Sequence, residues 1–352
     1  MKAKTPADSG GLRLRGFASA ALSVLSIAAV AYLVLAPVSG KPGEVQLQAQ
    51  TKPAPATLPA APAALPAASA IPSSPNPGLA LRVATWNVRD CAAWDPEKKE
   101  RIALHDRVAR MIKNARADII ILEEVQSDEA KGGDIALLSV ALAREGWAMP
   151  YVAVVDAKGE DDLAVFSRYA IEEYRPVLEP GPGDKWPRPG IFASIDASGS
   201  ILDVYGFHFK AMGDAASEKA RRAQAEALGR YLVASYGRDL TSKAIVVAGD
   251  FNTANASDLA GESSTLGALR LAEDGDASND FLDANYSFLR EEPTFEDSRY
   301  SSILDHILIS PLLAARFESS MVQVLSPPLE QGKIPTSDHT MVIVEILPFA
   351  GN

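Results

Sequence analysis

The chain of 352 residues contains one cysteine, Cys91, and four histidines. A single cysteine excludes an intrachain disulfide framework and any cysteine-rich metal site, and we predict that Cys91 is a small buried residue. Basic residues are also in the minority, since 34 Lys and Arg stand against 45 Asp and Glu, a formal net charge of −11. This balance excludes a protein that coats nucleic acid through broad electrostatic attraction. It leaves room for an enzyme that binds phosphate groups locally.

Several common catalytic signatures are missing too. The chain has no HExxH zinc-protease motif, no GxxxxGK[ST] nucleotide-binding loop and no G-x-S-x-G nucleophile elbow. The tripeptide Ser337-Asp338-His339 does not replace them, because neighbouring residues cannot converge on one another as a serine triad requires. The hydrophobic fraction of 47% nevertheless indicates a chain that buries a full core.

The N-terminal region differs in composition from the rest of the chain. Residues 1–16 are polar and basic, and residues 17–36 contain no charged residue. A run of about 20 apolar residues is long enough to cross a bilayer as a helix, and a basic flank before an apolar run is also typical of a secretory signal. The run is long for a signal and is followed by a poor cleavage site. We therefore favour an uncleaved membrane anchor that leaves residues 1–16 in the cytoplasm.

Residues 37–79 are rich in Ala and Pro and carry almost no charge. Repeated prolines prevent helix and sheet and favour extended conformations, so we predict a semi-rigid linker. Residues 80–352 have the composition of one globular catalytic domain. These boundaries predict a cell-envelope protein whose domain lies outside the cytoplasm. It would be membrane-anchored in a periplasm, or secreted if residues 17–36 are cleaved.

Within the globular part, short apolar runs and apolar–polar alternation predict strands, and a 3.6-residue period predicts helices. The predicted strands are 81–87, 117–123, 151–155, 163–168, 191–197, 201–209, 244–250, 305–310, 321–325 and 341–347. The predicted helices are 97–115, 134–145 and 215–236, and segment 253–282 is predicted to be a long surface loop with one short helix. This order of elements fits two sheets with helices on their outer faces.

Polar side chains stand at the ends of several of these strands. Five segments carry them: 85–88 (TWNV), 122–125 (LEEV), 207–210 (FHFK), 249–252 (GDFN) and 337–339 (SDH). An α/β sandwich can form a pocket where polar side chains at several strand ends point toward one place. Hydrolysis of a phosphoester needs such a pocket to hold a divalent cation, an oriented water and donors to the phosphoryl oxygens.

Three residues of these segments suit that chemistry by type and spacing. Glu124 ends the run ADIIILEE and is a candidate oxygen ligand for Mg²⁺, although a Glu at a strand end is often a plain surface residue. Asp250 and Asn252 follow a predicted buried strand with one residue between them, so both can face the same side. The Asp could activate water and the Asn could donate to the phosphate. An Asx-type turn that closes the strand is an equal alternative.

The four histidines receive different interpretations. His208 lies among aromatic residues in a predicted strand, where a phosphate contact and a buried structural role are equally open. His339 is a candidate donor to a phosphate, and Asp305 is placed to orient an imidazole through its second nitrogen. We predict structural roles for His105, which shares the apolar face of a helix, and for His306, which points to the opposite face of its strand.

Taken together, the motifs TWNV, LEEV, GFHFK, GDFN, LDHILIS and SDHT resemble those of the endonuclease/exonuclease/phosphatase superfamily. That superfamily includes pancreatic deoxyribonuclease, abasic-site endonucleases, neutral sphingomyelinases and inositol-polyphosphate 5-phosphatases. The six motifs occur in the family order. The resemblance covers about residues 80–348, which is nearly the whole globular part.

The resemblance implies a fold, a cofactor and a set of roles. The fold is an α/β protein, a four-layer α/β/β/α sandwich with two mostly antiparallel mixed sheets and the site at one end. The cofactor is Mg²⁺, with Mn²⁺ as a possible substitute, and its implied ligands are Asn87, Glu124 and Asp338. The implied catalytic residues are His208, which contacts the phosphate or protonates the leaving oxygen, and Asn252, which contacts the phosphate. Asp250 is implied to align or deprotonate water, and His339 to donate to the scissile phosphate, held by Asp305.

Two positions depart from the family pattern, and a third residue is a candidate acidic partner for His208. The usual Gln before the metal-binding Glu is Glu123 here, which would place an extra negative charge near the cation. Abasic-site enzymes carry Asp two residues after Asn87, where this chain has Arg89, so the sequence disfavours that activity. Deoxyribonuclease-like members pair the strand histidine with an acidic residue, and Asp162 is the candidate partner of His208.

These expectations favour a metal-dependent hydrolase of phosphodiester bonds, an endonuclease or exonuclease that acts outside the cytoplasm as a monomer. Its substrate would be nucleic acid or another phosphodiester. Residues 17–36 would attach it to the membrane. The alternative is a phosphatase or phosphodiesterase for lipid head groups or small phosphate esters, since a tethered domain meets lipid at high effective concentration. A non-catalytic binding domain is disfavoured because no metal ligand or phosphate histidine is missing.

Overall fold

The structure is a computed structural model, and it describes residues 80–95, 99–127, 133–157, 161–177, 188–297, 300–327 and 335–349. The predicted basic N terminus (1–16), apolar segment (17–36) and Pro/Ala-rich linker (37–79) lie outside the described residues. Among the helices within these ranges, none is both long enough and apolar enough to cross a membrane.

Two six-stranded sheets form the centre of the fold. The strand order of the first is β15 (Val322–Leu325), β16 (Met341–Ile346), β1 (Leu81–Asn87), β4 (Ile119–Val125), β6 (Asp162–Ser167) and β5 (Tyr151–Val155). That of the second is β11 (Leu282–Asp283), β14 (Asp305–Ile309), β10 (Ile245–Asp250), β9 (Ile201–His208), β8 (Gly190–Asp196) and β7 (Ala170–Val177). In each sheet one described pair is parallel, β1 with β4 and β9 with β10, and the other described pairs are antiparallel.

Helices cover the outer face of each sheet. Those on the first sheet are α1 (His105–Ala115) and α2 (Asp134–Arg144), and those on the second are α3 (Ala215–Tyr236) and α5 (Thr265–Leu269). The smaller elements are α4 (Ala256–Leu259), α6 (Ala284–Phe288), α7 (Pro311–Ala314) and two hairpins, β2 (Ala92–Asp95) with β3 (Glu100–Ala103) and β12 (Phe295–Glu296) with β13 (Ser301–Ser302).

Three apolar clusters hold the layers together. The cluster between the two sheets includes Ile121, Val204 and Ile307. A second cluster lies around Trp86, between the first sheet and its helices, and a third lies around Phe207, between the second sheet and its helices. Because both faces of each sheet are covered, the central strands are apolar on both sides, which is why they read as continuous apolar runs. The predicted four-layer α/β/β/α sandwich is confirmed.

Three of the element predictions were wrong, each for a local reason. The helix predicted from residue 97 begins at His105, because residues 92–95 pair with 100–103 as a hairpin. Strand β7 was missed because it is an edge strand whose charged side chains are exposed. Segment 253–282 is more than a surface loop, since it contains both α4 and α5, and every residue of α5 is buried.

Candidate active site

The topology brings the chemistry-bearing residues to one edge of the sandwich. Parallel neighbours end at the same edge of a sheet, so Asn87 at the end of β1 lies beside the end of β4, and His208 at the end of β9 lies beside Asp250 at the end of β10. The antiparallel strands β14 and β16 begin where β10 and β1 end. Asp305 therefore pairs directly with Asp250, and His339 enters the same edge two residues before β16.

A β-bulge turns Glu124 toward this edge. Side chains alternate between the two faces of a regular strand, but the pairing of β4 with β6 shifts register between Leu122 and Val125. Glu124 lies in this bulge with a left-handed φ of 53°, a conformation that costs a non-glycine residue roughly 1–2 kcal/mol. The bulge re-aims the side chain, and the carboxylate accepts a hydrogen bond of 3.0 Å from the amide of Asn87.

The neighbouring Glu123 is buried between the sheets. Its side chain is fully inaccessible, and the Thr85 hydroxyl donates to its Oε1 at 2.6 Å. Burial raises the pKa of Glu123 well above its ordinary value, with Asp305 and Asp250 adding to the effect against the hydrogen bond from Thr85. Glu123 therefore lies in the interior beside Thr85, at the position where the family usually has Gln, and its carboxylate does not reach the solvent-facing side of the site.

Asn87 joins the two sheets at the centre of the site. Its Nδ2 donates to Glu124 Oε1 at 3.0 Å and to Asp250 Oδ2 at 3.2 Å. Its Oδ1 accepts from the backbone N–H of Arg89 at 3.1 Å. Because Glu124 belongs to one sheet and Asp250 to the other, this single amide fixes the distance between the two carboxylates.

His339 and Asp305 form a buried ion pair. His339 Nδ1 lies 2.9 Å from Asp305 Oδ2, and His339 Nε2 lies 3.8 Å from Asp250 Oδ2. Burial alone would lower the pKa of His339, but the carboxylates of Asp305 and Asp250 outweigh it and raise the pKa to about 10. The imidazole is therefore protonated at neutral pH. With Nδ1 held by Asp305, its Nε2–H is available to donate to a bound anion.

Asp250 and Asn252 form the Asx-type turn that was one of the two interpretations of their spacing. The backbone N–H of Asn252 donates to Asp250 Oδ1 at 2.9 Å, which is an Asx-type turn. The other oxygen, Oδ2, faces Asn87 and the two site histidines. Burial raises the pKa of Asp250 to about 7, opposed by His339. A carboxylate in this range can take a proton near neutral pH.

Gly249 lets Asp250 reach this position. Its φ is +144°, and a Cβ atom at Gly249 would lie 1.9 Å from the carbonyl oxygen of Phe207 on the neighbouring strand. No other residue fits there without moving β9 away from β10. The glycine that precedes the aspartate in the GDFN segment is thus explained by a close backbone approach.

His208 is neutral and incompletely hydrogen-bonded. Its Nε2 lies 3.7 Å from Asp250 Oδ2 and 3.8 Å from Glu124 Oε1. Burial, with Arg188 and His339 nearby, lowers the pKa of His208 well below its ordinary value. Its Nδ1 has no hydrogen-bond partner among the described residues. The nitrogen that faces the site carboxylates is Nε2, so this atom is the one placed to contact a ligand there.

Two predicted site residues lie elsewhere than expected. Asp162 does not pair with His208, because its carboxylate accepts hydrogen bonds from the backbone of Ser127 and Ala157 and so holds two loops. Asp338 pairs with the exposed Arg89 at 3.1 Å and joins none of the clusters of possible metal ligands found among the described residues.

Sequence reasoning missed three residues that the fold brings to the site. Asp161 lies beside Glu124 and His208, and it pairs with Arg188, which also donates to the carbonyl of Phe209. The ring of Phe295 packs against His339 with centroids 5.0 Å apart. Asp161 could have been considered because it precedes Asp162 in the sequence. Which of the two side chains points into the site depends on where β6 begins, and the sequence does not show that position.

His306 has the structural role predicted for it. It is fully buried, with Nδ1 2.6 Å from Asp283 Oδ2 and Nε2 2.8 Å from the Thr253 hydroxyl. This second His–Asp pair therefore resembles that of His339 in chemistry, but both of its ring nitrogens are already occupied. Asp283, the acidic partner in this pair, is therefore a matched control for Asp305.

The residues at this edge fit a hard divalent cation. Two groups have all their possible ligand atoms within 4.8 Å of one another. They are Glu124 with Asp161 and His208, and Asp250 with Asp305 and His339. In the second group Asp305 Oδ1 has no hydrogen-bond partner among the described residues although it is buried. Carboxylate and amide oxygens are the ligands that Mg²⁺ and similar cations prefer, and a cation would satisfy this excess of buried acceptors.

Comparisons with known proteins agree with the fold. The profile of the Endonuclease/Exonuclease/phosphatase family matches residues 84–339. This chain therefore belongs to the endonuclease/exonuclease/phosphatase family. It is accordingly a hydrolase that acts on phosphoester bonds, and the family generally depends on a divalent metal. No curated protein matches the sequence.

Solved structures with the same fold are distant in sequence. An endonuclease/exonuclease/phosphatase from Beutenbergia cavernae DSM 12333 superposes with a TM-score of 0.55 at 20% identity, covering 78% of this chain and 72% of that one. An AP endonuclease from Archaeoglobus fulgidus gives 0.53 at 20% identity, with 76% and 100% covered. The human Nocturnin catalytic domain with bound sulfate gives 0.53 at 18% identity, with 76% and 94% covered. Such identities establish the fold and leave the substrate open.

Removing the charge of Asp305 should change the pH dependence of catalysis. The protonated form of His339 is the candidate donor to a phosphate, and its raised pKa of about 10 keeps it protonated until the pH rises through that value. In Asp305→Asn the imidazole loses its nearest carboxylate, so we expect the alkaline limb of the kcat/KM profile to move from near pH 10 toward neutral pH. Asp283→Asn, in the His306 pair, should leave the limb in place. An unchanged profile in Asp305→Asn would contradict the role given to His339.

Proposed function

We propose that this protein is a Mg²⁺-dependent phosphodiesterase that cleaves nucleic acid, and that it acts outside the cytoplasm while tethered to the membrane by residues 17–36. The observation that carries the proposal is the convergence of an Asp305–His339 ion pair, a proton-accepting Asp250 and a Glu124–Asn87 pair at one edge of the sandwich. These groups provide the donor, the base and the oxygen ligands that phosphodiester hydrolysis requires.

Each protein group has a chemical task in this proposal. Glu124 and Asn87 would hold Mg²⁺, with Asp161 close enough to contribute. When bound, Mg²⁺ supplies positive charge beside the phosphoryl oxygens. Asp250 orients a water molecule and accepts its proton, which its raised pKa permits near neutral pH. His339 donates its Nε2–H to a non-bridging oxygen, in the manner of a fixed electrostatic donor.

The remaining phosphate contacts come from uncharged groups. The Asn252 amide is held by the carbonyl of Phe209 at 3.2 Å through one N–H, which leaves its second N–H to donate to the ester. Neutral His208 can donate through one ring nitrogen to the phosphate or to the leaving oxygen. His208 is held at the end of β9, and Asn252 is held by the Asx-type turn and the carbonyl of Phe209, so little reorganisation is needed when the substrate binds.

Arg89 supports a nucleic acid substrate over a small phosphate ester. It is more than half exposed beside the site, and its only strong partner in the described structure is the partly exposed Asp338. A guanidinium at this position can bind a backbone phosphate next to the scissile one. A small monoester has no second phosphate and would leave this cation unused.

Replacing Arg89 by alanine should weaken the binding of nucleic acid more than the chemical step. We expect the KM for DNA or RNA to rise about tenfold and the salt dependence of log(kcat/KM) to fall by about one unit of slope, with a small change in kcat. Arg89→Lys should recover part of the loss because it keeps the charge. An unchanged KM and salt slope in Arg89→Ala would show that the residue does not contact the substrate.

A substrate panel tests the proposed function. The purified protein is incubated with plasmid DNA, single-stranded DNA, RNA, phospholipid vesicles that contain sphingomyelin, and a chromogenic phosphate monoester, each with Mg²⁺, with Mn²⁺ or with EDTA. We expect EDTA-sensitive cleavage of nucleic acid that Asp250→Ala abolishes and that Glu172→Ala, on the exposed edge strand β7, does not change. Release of phosphate or phosphocholine without cleavage of nucleic acid would instead support the lipid or small-ester alternative.

A further inference from the structure

A third cluster of possible metal ligands lies outside the two groups at the catalytic edge. It contains Cys91, His105 and Asp134, whose Sγ, ring nitrogen and carboxylate oxygen all lie within 4.8 Å of one another. Cys91 closes the short turn Arg89–Cys91, and the other two residues each begin a helix, His105 in α1 and Asp134 in α2. Three separate elements therefore converge on one point.

We propose that Cys91, His105 and Asp134 bind a zinc ion that is distinct from the catalytic metal. A thiolate, an imidazole and a carboxylate form a donor set typical of Zn²⁺, whereas Mg²⁺ prefers oxygen ligands alone. In a tetrahedral site with metal–ligand distances of roughly 2.0–2.3 Å, the ligand atoms lie about 3–4 Å apart, a spacing compatible with the observed upper limit of 4.8 Å. The side chain of His105 is 12% exposed, so water can reach the site as a fourth ligand.

The burial of the Cys91 side chain agrees with this geometry. The residue is completely buried and forms no disulfide. Its Sγ atom lies within 4.8 Å of the Asp134 carboxylate and the His105 ring nitrogen, and a cation bound between them would offset the negative charge of the thiolate and the carboxylate. The same burial excludes Cys91 as a nucleophile toward substrate.

The simpler explanation is that His105 and Asp134 only pair with each other. Their contact is 2.7 Å, and the second oxygen of Asp134 accepts from the backbone of Gln126 at 2.7 Å. This pairing accounts for the imidazole and the carboxylate. It does not account for a thiol placed within reach of both.

Zinc at this position would stabilise the backbone beside the catalytic edge. Arg89, Asp90 and Cys91 have consecutive left-handed φ values of 50°, 56° and 46°. Such a run is strained for non-glycine residues and persists only when its surroundings hold it. The turn follows Asn87 by one residue, and the Leu104 N–H donates to the carbonyl of Cys91 at 2.6 Å. A metal bridge from Cys91 to α1 and α2 would hold this turn and, with it, the positions of Asn87 and Arg89.

Cobalt substitution tests the zinc site without measuring activity. The full-length protein is freed of metal and titrated with Co²⁺, then with Zn²⁺. We expect about one equivalent of Co²⁺ to give a thiolate-to-cobalt charge-transfer band in the near ultraviolet, displaced by Zn²⁺, and the melting temperature to rise by about 5 °C with excess Zn²⁺. In Cys91→Ala the band should disappear, and in His105→Gln the affinity for Zn²⁺ should fall at least about tenfold.

The catalytic site provides the matched control. Glu124→Gln should retain the charge-transfer band, since Glu124 is outside the cluster. A wild-type protein without the band, a band that persists in Cys91→Ala, or binding lost in Glu124→Gln alone would each overturn the proposal. If Cys91→Ala does not fold, judged by circular dichroism, the wild-type band and the affinity of His105→Gln decide the question.

Discussion

Replacing Asp250 with asparagine is expected to lower kcat by about 10³–10⁴-fold while KM and the melting temperature change little. Asparagine has nearly the same shape and can still accept the hydrogen bond that the N–H of Asn252 now donates to Asp250 at 2.9 Å. It cannot accept a proton from water, and it adds no negative charge opposite His339. The loss should therefore appear in the chemical step.

Single-turnover cleavage with saturating metal is the suitable measurement, because it separates chemistry from product release. Asp203→Asn is a matched control. Asp203 lies on the neighbouring strand β9, away from the catalytic edge, where its carboxylate accepts from the hydroxyls of Ser194 and Tyr236. That variant should keep kcat within a few fold. A loss in Asp250→Asn of less than about tenfold would exclude Asp250 as the general base.

The second large effect is expected at Glu124. In Glu124→Gln the metal loses its main anionic ligand, so the Mg²⁺ concentration that gives half-maximal activity should rise by at least about 100-fold. Activity at low Mg²⁺ should nearly vanish and should return in part at high Mg²⁺. The variant should fold, because Glu124 is only partly buried and glutamine can still accept the hydrogen bond from Asn87.

The adjacent residue gives an unusually strict control. Glu123 and Glu124 have identical side chains, but Glu123 is fully buried and held by the Thr85 hydroxyl, and burial raises its pKa well above the ordinary value. Glu123→Gln should therefore leave the Mg²⁺ dependence unchanged. Titration of activity with Mg²⁺ in both variants decides the matter. Equal shifts in the two variants would show that Glu124 is not the specific metal ligand.

The central strands and the order of the site residues could be predicted from the sequence because they depend on local patterns. A strand buried on both faces is a continuous apolar run, as in the segment that became β10, Ile245–Asp250. Helix α3 was predicted with the bounds 215–236 that the structure shows, because its ends carry an Asp N-cap and a Gly C-cap. Once these strands are known, the ends that carry Asn87, His208 and Asp250 can be placed at the same edge of the sandwich.

What failed depends on features that a linear pattern does not contain. The sequence shows two adjacent glutamates, but only the bulge in β4 separates a buried Glu123 from a solvent-reaching Glu124. Asp161 and Asp162 pose the same problem, since the direction of each depends on where β6 begins. The helical pattern of α1 placed His105 on an apolar face and gave no indication of a polar partner. That partner, Asp134, belongs to a different helix, α2.

The most direct test of a metal-centred active site is anomalous diffraction from crystals of Asp250→Asn soaked with Mn²⁺ and a short oligonucleotide. We expect a manganese peak within coordination distance of the Glu124 carboxylate, with a phosphate between that peak and the ring of His339. A peak that lies away from Glu124, or a bound phosphate out of reach of His339, would contradict the proposed site.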